Sequence, residues 1–523
     1  MIKDGDNVTD NGLRPSRRGA LGIWVAAMAL PLTGAYAADT KPRSGGHFTV
    51  ATGHGSTADS LDPAHWDNQF TNLLGHALHG RLTEILPDGG VRGEIAEEWD
   101  ASADGKTWRF KLRPGIRFHD GRPVTGDDLY ASIAYHGLQE TSSAVQPIAD
   151  QIASMTAHAD GLTLVLKQAN RDLPYLLADG HFVILPSTDG KPETLSGIGC
   201  GPYRLSGFEP GVRADLTRHD DFWATDRAFF DGATILAVHD VTARQASLLS
   251  GEVDAIDRVG LDTVHLLNQR DDIAVMEVTG TQHYTFPMRC DAPPFDNNDV
   301  RLALKLSLDR AALLDVVLNG CGGIANDSPI TPANRYFNST MPRNSYDPDK
   351  ARFHLKKAGL SDLKVSLHAA DAAFPGAIGA AQLYREHAKA SGIDITVVRE
   401  PDDGYWTSVW TKKPWTACYW SGRPTEDAML SAVYAGDAPW NDTAWTNPEF
   451  DRILMAARAE ADEGTRADMY GTLQDMLRRE GGTVIPLYAN YVDARRGTIG
   501  VPEKLAANWS LDGSRCIERW WRV

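Results

Sequence analysis

Arg423 stands in the run Tyr419-Trp420-Ser421-Gly422-Arg423-Pro424-Thr425-Glu426-Asp427, just behind an aromatic pair and between a glycine and a proline. A guanidinium stays charged at any physiological pH, and its planar fork of donors matches a carboxylate or a phosphate. Two chemistries would satisfy it there. One is an anionic ligand in a partly desolvated cleft. The other is a loop salt bridge to Glu426 or Asp427, with Tyr419 and Trp420 as core packing. Histidines raise a second possibility, because His76 and His79 in "GHALHG" are three apart on an expected helix and would share a face, as metal ligands can. His54 and His65 lie upstream, but no acid or cysteine stands at ligand spacing, so no metal residue is assigned. Enzyme signatures are missing: there is no G-x-S-x-G elbow, no H-E-x-x-H and no P-loop. "SGIGCGPY" lacks the spacing of a dinucleotide fingerprint, and no histidine near Cys200 in sequence would activate it as a nucleophile. No catalytic residue and no cofactor follow from these motifs.

The chain that must position these groups has 523 residues, too many for one core, so two or more domains are expected. A net charge of −17 argues against a nucleic-acid partner. The start of the chain reads as an address. Arg14, Arg17 and Arg18 precede an apolar stretch from about residue 20 to 32 and the triplet Ala35-Tyr36-Ala37, which resembles a twin-arginine export signal. Residues 1–37 are therefore expected to be removed, and the mature protein to lie in the periplasm. The five cysteines show no C-x-x-C unit, and their odd number leaves at least one unpaired.

Strands and helices are mixed along the chain. In "ADGKTWRFKLRPGIRFHDG" Trp108, Phe110 and Leu112 alternate with polar residues, and Ile116 and Phe118 resume the alternation after Pro114-Gly115, which predicts a hairpin with one buried face. "GPYRLSGFEPGVRADLTRH" predicts a second two-stranded meander. "NNDVRLALKLSLDRAALLDVVLNG" reads as one helix stopped by Gly320. Asn447-Pro448 opens another, with Asn at the N-cap and Pro in the first turn, followed by a partner helix ending at Gly481-Gly482 and the strand "TVIPLY". The fold class is α/β.

These segments also stand in a recognisable order. "DSLDPAHWDN", the block from Gly80 to Ile133, "GCGPYRLSGFEPG", "LLSGEVDAI", "PPFDNNDVRLALKLSLDR" and "GGTVIPLY" resemble the successive motifs of the peptide/nickel family of extracytoplasmic solute-binding proteins, the receptors that feed ABC importers. The resemblance implies a two-lobed clamp of the type II periplasmic-binding-protein class. It places residues 38–285 plus 486–523 in lobe I, with an extra subdomain at about 82–197, and residues 286–485 in lobe II. Two strands cross between the lobes, near Tyr284 to Arg289 and near residues 486–492, and the ligand is enclosed when the hinge closes. A monomer working with an inner-membrane ABC permease is expected.

The resemblance also points to site residues and to departures. Its dipeptide and oligopeptide receptors carry an aspartate for the ligand's ammonium group close to the position of Arg423, so an arginine there inverts the sign of the expected partner. Arg289 replaces a usual asparagine, and a charge at that point either reaches the cleft or needs a buried carboxylate. Trp66, Asp67 and Asn68 lie in the N-terminal segment that approaches the ligand, with Asp67 the first candidate to hold an ammonium group. Tyr419 and Trp420 flank Arg423 on the second lobe, and Trp440 and Trp445 are candidates for the rim. The expected ligand is a short peptide or a peptide-like, opine-type anionic amino-acid derivative. The alternatives are a metal chelate and, from another class, a periplasmic hydrolase.

Overall fold

The computed structural model describes residues 42–523. The expected export signal lies outside the described residues. Within them no helix is long and apolar enough to cross a membrane.

The main sheet has nine strands among the described residues: β1 (His47–Thr52), β2 (Tyr203–Glu209), β3 (Arg213–Arg218), β4 (Gly232–Ala237), β5 (Ala255–Ile256), β6 (Ile273–Pro287), β7 (Gly322–Ile324), β8 (Cys418–Trp420) and β9 (Thr483–Arg496). Their order is β2-β3-β4-β1-β5-β9-β6-β8, with β7 added on β9. Strands β1, β4 and β5 run parallel, while β6 and β9 form a long antiparallel pair. That pair feeds two sets of cores. At one end β6 places Met276 among Phe48, Phe70, Ile235 and Trp520, where the N-terminal half meets the C-terminal tail. At the other end Tyr284 and Phe286 of β6, with Val484 and Leu487 of β9, join Leu304, Leu367 and Tyr384. A further core (Leu82, Trp108, Phe110, Leu129, Leu164) is built on a separate four-stranded sheet. Trp420, Leu430, Phe450, Tyr470 and Leu477 form another.

Local reasons for these elements are mostly visible. Asn447 caps the helix Pro448–Ala459, its side chain accepting from the amides of Glu449 and Phe450, as the Asn-Pro pair predicts. The Tyr203–Arg218 meander forms as expected. Two expectations are corrected. Strand Thr107–Leu112 buries Trp108 and Phe110, but it pairs with Ala96–Ala101 and Gly161–Leu166 rather than with a returning strand after Pro114. Ile116 and Phe118 are buried without being part of a strand. The expected single helix from Asn298 breaks into Asn298–Leu306 and Arg310–Leu318, because the Asp309 carboxylate caps the second one, accepting from the amides of Ala311 and Ala312. All five cysteines are unpaired.

The C-terminal tail is tied to the first lobe by charge as well as by apolar packing. Arg515 reaches Glu94 at 2.8 Å, Glu518 at 2.8 Å and Glu84 at 3.0 Å, and Arg227 bridges Glu84 at 2.9 Å and Glu518 at 2.5 Å. All five side chains are buried. Glu84, Glu94 and Glu518 are also the one trio of potential metal ligands among the described residues, and Arg515 and Arg227, with Arg519 at 4.0 Å from Glu84, supply their counter-charges. Removing one partner of a buried network strands the others without compensation. Arg515→Met should therefore destabilise the protein by about 3–5 kcal/mol, measured by chemical denaturation; a loss under 1 kcal/mol would show that the network is not integral to the first lobe.

Candidate functional site

The geometry of β8 delivers Arg423. Trp420 lies opposite His283 of β6, and Tyr419 opposite Tyr284. The chain then passes so close to β6 at Gly422 that a Cβ there would lie 1.4 Å from Thr281 Oγ1. Only glycine fits, and the next residue, Arg423, emerges beside the crossing strands. Thr425 ends the segment by capping the helix Glu426–Val433, accepting from the Ala428 amide.

A cavity of about 250 Å³ opens at this point. Its walls come from segments far apart in sequence: the loop 85–89, Tyr175, the turn 332–335, the segment 423–426 and residues 507–508, with Thr279 and Thr281 of β6 between them. Two arginines line it, and their circumstances differ. Arg335 is fully engaged, pairing with Asp172 at 2.8 Å and lying over the rings of Tyr175 and Tyr336 at 4.6 and 4.4 Å. Arg423 has no carboxylate within salt-bridge distance among the described residues. It donates only a long bond, 3.4 Å, to the carbonyl of its neighbour Gly422, and lies over the Trp440 ring at 5.5 Å.

The two acids that would make Arg423 a loop salt bridge are occupied. Glu426 accepts from the Tyr336 amide at 2.7 Å, and Asp427 is held by Arg458 at 2.9 Å and by Ser431. Burial pulls Arg423 below its ordinary pKa, with Asp179 acting weakly in the opposite direction. Its charge is felt in turn by His283, which is pushed down to about 4, chiefly by burial. A half-buried guanidinium with idle donors at a two-lobed cavity is suited to an anion.

Aromatic side chains continue the wall on the second lobe. Trp420 stacks on Trp440 at 5.9 Å, Trp410 meets Trp420 edge-on, and Trp406 meets Tyr419. Trp420 is buried at 8% exposure, whereas Tyr419 (36%), Trp406 (39%) and Trp440 (46%) are open. Of these exposed rings, Trp440 forms the ledge beside Arg423. Trp445 is buried against Phe450 instead.

The other residues singled out in sequence lie elsewhere. Trp66 is buried at 2% exposure, packs on Gly75 and donates its indole N–H to the Ser60 carbonyl, so it does not line the cavity. Asn68 caps the helix Gln69–Leu78 and donates to Asp59, while Asp67 is exposed and accepts from Asn68. Arg289 lies beyond the end of β6 and makes a two-point pair with Asp291, at 2.9 and 2.6 Å, plus a bond to the Thr411 carbonyl. The acid it needs is exposed and two residues away. His76 and His79 are buried with strongly lowered pKa values, the result of desolvation first. Cys200 is buried, and its thiol is pushed up to about 12. Sequence reasoning missed Arg335, Tyr175 and Thr281, which carry no local motif and meet only through the fold.

Beneath the ledge, the Trp410 indole donates to Asp442 at 3.2 Å. Asp442 is buried, which raises its carboxyl to about 7. A carboxyl whose folded pKa is raised holds its proton more tightly in the native state, so its contribution to stability falls as pH climbs from about 4 to about 7. Asp442→Asn should therefore raise the melting midpoint at pH 8 and raise it by clearly less at pH 5. Equal shifts at both values would contradict the buried-acid reading. Asp493, raised to about 7 by burial in the first lobe, titrates in the same window and remains as background in the variant.

Comparison with known proteins agrees with this architecture. The pattern of the bacterial extracellular solute-binding proteins, family 5 middle region, matches residues 90–442, more than half the chain. The chain is 23% identical over 501 residues to di/tripeptide-binding protein 1 of Pseudomonas aeruginosa (strain UCBPP-PA14), covering 87% of this chain and 91% of that one. Among solved structures, it superposes on AgaA from A. tumefacien R10 in complex with agropinic acid with a TM-score of 0.74, at 20% identity, covering 91% of this chain and 99% of that one. NikZ from Campylobacter jejuni in complex with Ni(L-His) superposes with a TM-score of 0.75, at 17% identity and with coverage of 91% and 99%. With its two-lobed α/β fold and a matching pattern over most of its length, the chain belongs to the family 5 bacterial extracellular solute-binding proteins.

Proposed function

We propose that this protein is a periplasmic receptor that binds a compact, anionic, peptide-like amino-acid derivative and delivers it to an ABC importer, with Arg423 as the anchor for the ligand's acid group. The observation that carries this reading is the Arg423 guanidinium, which lines the interlobe cavity without an acid partner. A cavity of about 250 Å³ suits a solute of dipeptide size rather than an extended oligopeptide. Di/tripeptide binding and agropinic acid binding among its relatives agree with that size and with an acid group. The Trp440 ring supplies an apolar face beside the charge.

The mechanism is one of population shift. The clamp hinges on β6 and β9, between a lobe of residues 38–285 plus 486–523 and a lobe of residues 286–485. A solute that touches both lobes stabilises the closed form, which a membrane permease then recognises. The protein works as a monomer and reaches the periplasm on the strength of its N-terminal signal. No chemistry on the ligand is required, and the buried, poorly ionised Cys200 supplies no nucleophile. The metal-chelate reading is not carried forward, since His76 and His79 are buried and do not line the cavity.

Arg423→Ala should weaken binding of the solute recovered from the wild-type protein by tenfold or more in calorimetry, as a charged hydrogen bond contributes about 1.5–3 kcal/mol. An unchanged dissociation constant would remove Arg423 from the site.

A further inference from the structure

We propose that Asp172 is a positioning residue, which holds the two lobes closed over the cavity and fixes Arg335 in its wall. Asp172 lies on the subdomain of the first lobe and is fully buried. Its two counter-charges come from the opposite lobe: Arg335 at 2.8 Å and Arg466 at 2.7 Å. Among the described residues the first lobe supplies it with no cation. A carboxylate buried in this way belongs to the closed clamp, because separating the lobes strips it of both partners and returns it to water.

The neighbouring contacts run the same way. The Arg171 amide donates to the Arg458 carbonyl at 3.0 Å, so the backbone next to Asp172 docks on the C-terminal end of the helix Pro448–Ala459. Tyr175 of the first lobe covers one ring-width of the Arg335 guanidinium, and Tyr336 of the second lobe covers another. Arg466 is held in place within its own lobe by the Ala457 carbonyl at 2.9 Å, over the rings of Tyr336 and Tyr470. The second lobe thus presents a fixed pair of cations, and residues 171 and 172 complete it on closure. Arg335 is both a member of this latch and a wall of the cavity, so Asp172, which does not line the cavity, orders the site through it. The proposal rests on the interlobe reading of the cavity, but not on the identity or charge of the ligand.

The test uses ligand-free full-length mature protein and hydrogen exchange. The Arg171 amide, bonded across the lobes, reports opening directly, while amides of the strand Gly161–Leu166 report the integrity of the subdomain. Asp172→Asn should speed exchange at Arg171 by at least tenfold and leave the subdomain strand unchanged. Arg335→Gln, made on the other lobe, should do the same, and it decides the matter if Asp172→Asn loosens the subdomain itself. Unchanged exchange at Arg171 in Arg335→Gln, or in an intact Asp172→Asn, would overturn the latch. Because no solute is present, that result is independent of whether Arg423 binds an anion.

Discussion

Everything about the site depends on one constraint: two long antiparallel strands, β6 and β9, run from one set of cores to another. Each strand buries apolar side chains in one core at one end and in a different core at the other. Their pairing fixes the register of β8, since Trp420 must lie opposite His283. That register sends the chain past Thr281 with no room for a side chain at 422, and so puts Arg423 beside the long strand pair. A receptor built this way can open and close while its binding group stays attached to the strands about which it moves.

Charge is distributed in keeping with that design. One buried network sets Arg515 and Arg227 against Glu84, Glu94 and Glu518. In the second lobe Arg310 is matched by Asp327, and Asp427 by Arg458. Asp172 is matched across the gap. Arg81, Arg301 and Lys305 also lack a carboxylate partner among the described residues, but each donates to backbone carbonyls, whereas half-buried Arg423 makes one long bond. Leaving such a group unpaired costs stability, and under the proposed function that cost is offset when a carboxylate enters the cavity.

Much of the fold was legible in the amino-acid order, because its signals are local. Alternation placed Trp108 and Phe110 on a buried face, and Asn447-Pro448 marked a helix start. The errors came where a non-local partner decides. Nothing in the segment after Pro114 reveals that Thr107–Leu112 finds its neighbours at residues 96–101 and 161–166. Arg423 was recognisable as a charge in an odd place, but its environment depends on whether Glu426 and Asp427 are free, and they are taken by Tyr336 and Arg458 from distant segments. Trp66 and Arg289 were drawn to the cleft by motif position, whereas one packs on Gly75 and the other turns to Asp291. Arg335, Tyr175 and Asp172 carried no signal, since their roles exist only once the lobes meet.

The most direct test of the central claim is native mass spectrometry of the mature protein isolated gently from the periplasm, followed by accurate-mass identification of the species released on denaturation. The account predicts a single class of small solutes bearing at least one acid group and lacking an excess of positive charge, retained by the wild type and lost from Arg423→Ala. A ladder of ordinary oligopeptides, or a cationic solute retained equally by both proteins, would contradict it.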